Sequence, residues 1–349
     1  MTVGSEVDVL VVGGGPVGLA TAIEARLRGL TVTIVEPRHG SGGGGAIDKA
    51  CGEGLMPGAL PALARLGVDP PGFALRGVSY RAAGYRVDHR FAMGEGRGVR
   101  RTALHDALAE RARSLGVVVV GGKVDALEQD SQSVTAGGIR ARYLVAADGL
   151  HSTVRRLTGL ERPVAARGRR YGVRRHFHVE PETDLIEVYW TPTVEAYVTP
   201  VGDGVVGIAM LGRQGLDFDA ALAGIPALAS LIKGAEPASA LRGAGPFRQR
   251  TTRRSLGRVL LVGDASGYVD AITGEGIRVG LAQAEAAIAS VSRDDPHSYE
   301  RAWMRRTRDF RVLTAGLVAA ANSPLRSAIV PAAVALPRLF GGVVERLAR

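Results

Sequence analysis

The 349-residue sequence has one cysteine, Cys51, so no disulfide can form within the chain. That fits a reducing, cytoplasmic setting. Lysine is almost absent, at positions 49, 123 and 233, and aromatic residues make up only 5%. The basic excess of 44 over 34, a formal charge of +10, is therefore carried by arginine. Such a charge suits an anionic ligand or surface, and equally a solvated basic exterior. The arginines are scattered and not interleaved with aromatics, which argues against nucleic-acid binding. No uninterrupted apolar run of about eighteen residues is present, so a spanning helix is not expected. The longest candidate, Ala328 to Val344, is broken by Pro331, Pro337 and Arg338. Near the start, Glu6 and Asp8 stand where a secretory signal would carry basic residues. His176-x-His178 has no supporting cluster of ligands, so no metal site is expected.

Glycine, at 48 residues, is abundant, and much of it is concentrated in a few loops. Val7 to Val12 reads as a short buried strand, Pro16 to Arg28 as a helix, and Thr31 to Glu36 as a second strand. Together they form a β-α-β unit of a parallel sheet. Ser41 to Gly45 reads as a flexible loop. Gly58 to Leu66 and Thr102 to Leu115 read as helices closed by Gly67 and Gly116. Val78 to Met93 has strand character. Val117 to Val120, Val124 to Glu128, Ser133 to Thr135 and Tyr143 to Ala146 read as short strands. From Arg167 to Leu211 longer alternating strands predict an antiparallel sheet. Arg258 to Val262 returns to a parallel-type strand, followed by a long helix from about Gly274 to Ser290. An amphipathic helical tail begins near Tyr299.

Gly13-x-Gly15-x-x-Gly18 sits where the first strand meets the helix that opens at Pro16. The spacing predicts a tight turn, a close backbone approach to a pyrophosphate, and close helix packing. The helix N-terminus would receive the anion. Glu36 ends the second strand about twenty residues on, where a carboxylate accepts from a ribose diol. Arg38 is grouped with this site. The loop predicts an ADP-ribosyl ligand and does not separate FAD from NAD.

Three further segments resemble the superfamily of FAD-dependent aromatic hydroxylases (para-hydroxybenzoate hydroxylase type), geranylgeranyl reductases and flavin halogenases. They are Arg101-x-x-Leu104-x-x-x-Leu108, then Tyr143 to Asp148-Gly149-x-x-Ser152-x-Val154-Arg155, then Gly263-Asp264-Ala265 with Gly274-Glu275-Gly276 and Ile277. The resemblance spans about Val7 to Ser290. It implies FAD as cofactor and a Rossmann-like α/β FAD-binding fold with an inserted antiparallel substrate sheet and C-terminal helices. The expected divisions are 1–75, 97–157 and 255–295 for FAD, 76–96 and 158–254 for substrate, and 296–349 for the tail. It also implies that Arg101 reaches the phosphates, that Asp148 lies near the cofactor, and that Asp264 bonds the ribityl chain.

Within this resemblance the leading expectation is a monooxygenase. It would hydroxylate or epoxidise a small apolar or aromatic metabolite through a flavin C4a-hydroperoxide. The alternative is a geranylgeranyl-reductase-like enzyme acting on isoprenoid double bonds. Gly267 and Ala271 stand where hydroxylases usually carry a histidine and a proline, and Lys49-Ala-Cys51-Gly52-Glu53-Gly54 is similar to a cysteine-glycine motif of the reductases. Cys51 therefore has two readings, a group beside the flavin or substrate and a small buried residue. Arg174, Arg175 and His176 are candidate substrate-side residues. No second GxGxxG follows a strand, so electrons would come from transient NADH or NADPH, or from a separate reductase. The basic, proline-broken tail would suit peripheral membrane contact or ordinary packing.

Overall fold

The computed structural model describes residues 6–39, 46–165, 168–202 and 204–349, so the Ser41–Gly45 loop lies outside the described residues. Strand Val7–Val12 runs between parallel strands Val32–Glu36 and Ile139–Ala146. Val118–Gly121 continues the sheet on one side and Val259–Leu261 on the other, all parallel. The first strand is apolar on both faces for a reason. Val9 and Val11 pack with Leu19 and Ile23, whereas Leu10 and Val12 pack with Val35 and Leu144. A parallel sheet covered on both sides demands such a run.

Helix Pro16–Leu27 links the first two strands and packs against Arg101–Ser114 and Gly276–Ser292. A Cβ on Gly280 would stand 2.4 Å from Val17, so glycine permits the close crossing of two of these helices. The long helix starts at Gly276 rather than Gly274, because Gly274 has φ of 70°.

The second sheet has seven strands. In spatial order they are Arg242–Ala244, Tyr171–His178, Val205–Gly212, Glu195–Gly202, Leu185–Trp190, Gly77–Ala82 and Tyr85–Arg90. Neighbours are antiparallel except Leu185–Trp190 with Gly77–Ala82. The stretch from Val78 to Met93, with its strand character, is a hairpin turned at Gly84 with φ of 75°. Two short helices, Phe218–Ala223 and Pro226–Leu231, went unread in the sequence because each is only six residues long. The fold is α/β, a Rossmann-like layer with an added, mainly antiparallel sheet.

The tail forms helices His297–Ala321, Ile329–Ala335 and Pro337–Ala348, with a 3₁₀ turn at Pro324–Ala328. Among the described residues no single helix is long and apolar enough to cross a membrane.

Candidate functional site

A cavity of about 870 Å³ opens at the C-terminal ends of the parallel strands and extends under the seven-stranded sheet. Ligands of open α/β sheets occupy that crevice. Val12, Val35 and Ala147 bring three strand ends to its wall.

The three glycines of the loop meet three different surroundings. Gly13 has φ of 104°, and a Cβ there would stand 2.7 Å from the Ala147 carbonyl oxygen. A Cβ on Gly18 would come within 1.9 Å of the Gly13 carbonyl oxygen. Gly18 thus packs beneath the loop and does not line the cavity. A Cβ on Gly15 would meet nothing within 4 Å, so that glycine faces an open cradle. Pro16 follows at the first helical position, where its missing N–H costs nothing. Glu36 accepts the Gly14 N–H at 2.7 Å and the Arg38 N–H at 3.1 Å, and both Glu36 and Arg38 line the cavity.

The other named segments converge on the same wall. Arg101, Asp148, Gly263 and Asp264 line it, as do Gly274, Gly276 and Ile277. Arg101 Nε and Asp148 Oδ1 are buried without a hydrogen-bond partner. The other oxygen of Asp148 accepts the Val154 N–H at 3.1 Å. Fully buried Arg155 ties two segments together, donating to the Leu150 carbonyl at 2.8 Å and the Ala265 carbonyl at 3.2 Å. An open glycine cradle, the Glu36 carboxylate and the charged residues Arg101, Asp148 and Asp264 lining one crevice fit FAD.

The far half of the cavity is apolar. Tyr80, Ile186, Tyr197, Phe247 and Tyr268 line it. Burial pushes the Tyr80 phenol up to about 12 and those of Tyr197 and Tyr268 well above their ordinary value. They stay neutral, and Tyr197 donates to the Ile272 carbonyl at 2.8 Å. Cys51 and Lys49 also line the cavity.

The candidate substrate-side residues sit elsewhere. Val173 lines the cavity, but Arg174, Arg175 and His176 do not. Arg175 turns outward to Asp219 at 2.9 Å. Arg174 and His176 are buried and join Asp48 and Glu53 in one network. Glu53 meets His176 Nε2 at 2.5 Å and accepts the Arg101 N–H at 2.7 Å. It holds φ of 60°, a left-handed conformation rare for a side chain with a Cβ. Burial would raise the Asp48 carboxyl, but hydrogen bonds and charge from Arg174 and Arg242 hold it below its usual range. Strand register decided these positions, and one sequence does not carry it.

A second buried network was not foreseen. Asp270 accepts from Arg170 at 3.0 Å, Arg170 pairs with Glu195 at 2.5 Å, and Glu195 also pairs with Arg326. Asp270 stands between Gly267 and Ala271, but its partners lie up to 100 residues away. Glu275, next to the glycine loop, is buried with Oε1 unpartnered. Burial pushes its carboxyl up to about 7, against the opposing pull of Arg278.

Comparison with known proteins agrees with this geometry. The model of the FAD binding domain family matches residues 6–208. A menaquinone reductase of Mycolicibacterium smegmatis is 28% identical over 341 residues, covering 85% of this chain and 79% of that one. A rifampicin monooxygenase of Streptomyces venezuelae is 28% identical over 320 residues, covering 79% of this chain but 62% of that one. Two digeranylgeranylglycerophospholipid reductases of Methanopyrus kandleri are similar as well, 27% and 26% identical, covering 83% and 87% of this chain and 79% and 88% of those. A flavoprotein/dehydrogenase structure from Cytophaga hutchinsonii superposes with a TM-score of 0.82 at 19% identity, over 99% of this chain and 93% of that one. With its glycine loop, its convergent segments and a family match over more than half its length, the chain belongs to the FAD binding domain family and is an FAD-dependent oxidoreductase.

Proposed function

We propose that the chain is a monooxygenase of a small apolar or aromatic metabolite. The observation that carries this reading is the aromatic, uncharged half of the cavity, which adjoins the Asp264 and Gly276 wall. Tyr80, Tyr197, Phe247 and Tyr268 offer ring faces and edges to a flat substrate and exclude water.

In this reading the Gly13–Gly18 turn and the Pro16–Leu27 helix N-terminus hold the pyrophosphate. Glu36 holds the ribose diol, with Arg38 beside it. Arg101 neutralises phosphate, Asp264 accepts from the ribityl hydroxyls, and Asp148 orders the adjoining backbone. Gly274, Gly276 and Ile277 bring the Gly276–Ser292 helix N-terminus to the ring system, where negative charge develops on reduction. FAD, when bound, supplies the electron transfer and the activation of oxygen. The protein orients the substrate and keeps the reacting end dry. NADH or NADPH visits transiently, or a separate reductase delivers the electrons.

A second reading, reduction of isoprenoid double bonds, is favoured by one observation. The chain spans 79% of the menaquinone reductase but 62% of the rifampicin monooxygenase. Cys51 would then face the substrate. One experiment separates the two. Anaerobically reduced holoprotein is mixed with labelled dioxygen and a panel of aromatic and prenyl lipids. Label in the product supports the monooxygenase. Unlabelled product that has gained two hydrogens replaces it with the reductase.

A further inference from the structure

One surface is built unlike the rest of the molecule. Between Val312 and Pro337 the single charged residue is Arg326. It turns inward, pairing with buried Glu195 and donating to the Thr191 carbonyl. In this stretch and the helix that follows it, apolar side chains stand in water. Val312 and Leu325 are each 65% exposed, Leu339 63% and Leu336 54%. On helix Pro337–Ala348 and the residue before it, Leu336, Leu339 and Val343 recur at helical spacing on the outer side. Phe340, Val344 and Leu347 face inward. On helix His297–Ala321, Arg305, Arg308, Val312, Ala315 and Ala319 form one exposed stripe, basic at its start and apolar at its end. Arg346 pairs with Asp309, and Leu347 packs on Phe310, so the two helices lie together. Single exposed leucines are ordinary, but exposed apolar residues at helical spacing, bordered by unpaired charge of one sign, mark a contact surface.

We propose that this face docks on the surface of an anionic lipid bilayer. The apolar residues would enter the acyl boundary and the flanking arginines would meet the headgroups. The charge pattern selects this partner. Arg301, Arg305, Arg308 and Arg338 are exposed and make no ion pair among the described residues. Of the nearby acids, Asp309 is paired with Arg346 and Glu345 with His89. A second copy of this chain would oppose arginine to arginine. The contact is superficial, because the long helix and the segment after it meet at 102°.

The same last helix has a second role. Val344 and Leu347 line the cavity, so one helix separates the docking face from the apolar half of the site. Resting on the reading of that half as the substrate end, this helix would stand between the bilayer and the substrate's site.

The test is flotation of the FAD-loaded protein with vesicles of phosphatidylglycerol and phosphatidylcholine in equal parts, against phosphatidylcholine alone. Binding to the anionic vesicles is expected, with loss as salt is raised. Arg338→Gln should weaken it about fivefold. Leu336→Asp with Leu339→Asp should reduce it at least about tenfold, with flavin content and melting temperature unchanged. Protein that fails to float with either vesicle overturns the proposal. So does undiminished flotation of the double variant, or a dimer that the same variant dissolves. Flotation needs no turnover, so its failure leaves the oxygen-label result standing, and the reverse holds too.

Discussion

The two ends of the cavity are made from different materials. The glycine-loop end is mostly backbone. Its shape follows from Gly13 at φ of 104°, from Gly18 beneath it, and from the empty space at Gly15. The sheet end is all side chain. Tyr80, Ile186, Tyr197 and Phe247 come from three strands and a loop separated by up to 167 positions, which only tertiary pairing brings together. Backbone sites are written in consecutive residues; side-chain sites are written in register. Two buried ion networks close the seam between them, Asp48–Arg174–His176–Glu53 on one side and Asp270–Arg170–Glu195–Arg326 on the other.

The largest effect is expected at that seam. Glu53→Ala removes the carboxylate shared by His176, Arg174 and the Arg101 N–H, leaving two buried basic groups short of a partner. Loss of about 3–5 kcal/mol in urea unfolding is expected, with weakened FAD retention. A variant of wild-type stability would show that the two ends are joined by packing alone.

Glu275 tests the loop end by pH. Its folded carboxyl is raised from 4.5 to about 7. The raised value favours the protonated form in the folded state. That stability is fully present below about pH 4.5 and is lost as pH rises through about 7. Relative to Glu275→Gln, the wild-type unfolding free energy should fall on the order of 3 kcal/mol across that window. Parallel pH curves for the two proteins would remove this strain from the loop end.

The smallest effect on stability is the sharpest for the comparison. Gly18→Ala places a Cβ against the Gly13 carbonyl and should lower stability of the FAD-free protein by about 1–3 kcal/mol. Gly15→Ala adds a methyl to open space, so the FAD-free protein should melt unchanged while FAD affinity drops. Equal loss of melting temperature in both would contradict the division of labour within the loop.

Much of the architecture was legible in the residues. Strand Val7–Val12 appears with the bounds its apolar run predicts, and helices Pro16–Leu27 and Arg101–Ser114 fall within a residue of expectation. Each is punctuated by glycine or proline, which act locally. Arg174 and His176, candidates for the substrate side, lie in a buried network, and Arg175, the third candidate, pairs with Asp219. Alternation along a strand shows two faces but not which face meets the cavity. Arg170, Glu195 and Arg326 carried no local sign, because a buried charge differs from a solvated one only in its distant partner.

The sequence by itself determined the β-α-β unit, the dinucleotide loop and the order of the flavin segments, because turn geometry, helix N-termini and strand periodicity are interactions between near neighbours. Tertiary structure alone decided which side chains form the apolar half of the cavity, how two ion networks hold it to the loop end, and that the C-terminal helix walls the cavity inside while leaving leucine in water outside. Those outcomes depend on strand register and on helix docking between residues far apart in the chain, and no local pattern encodes them.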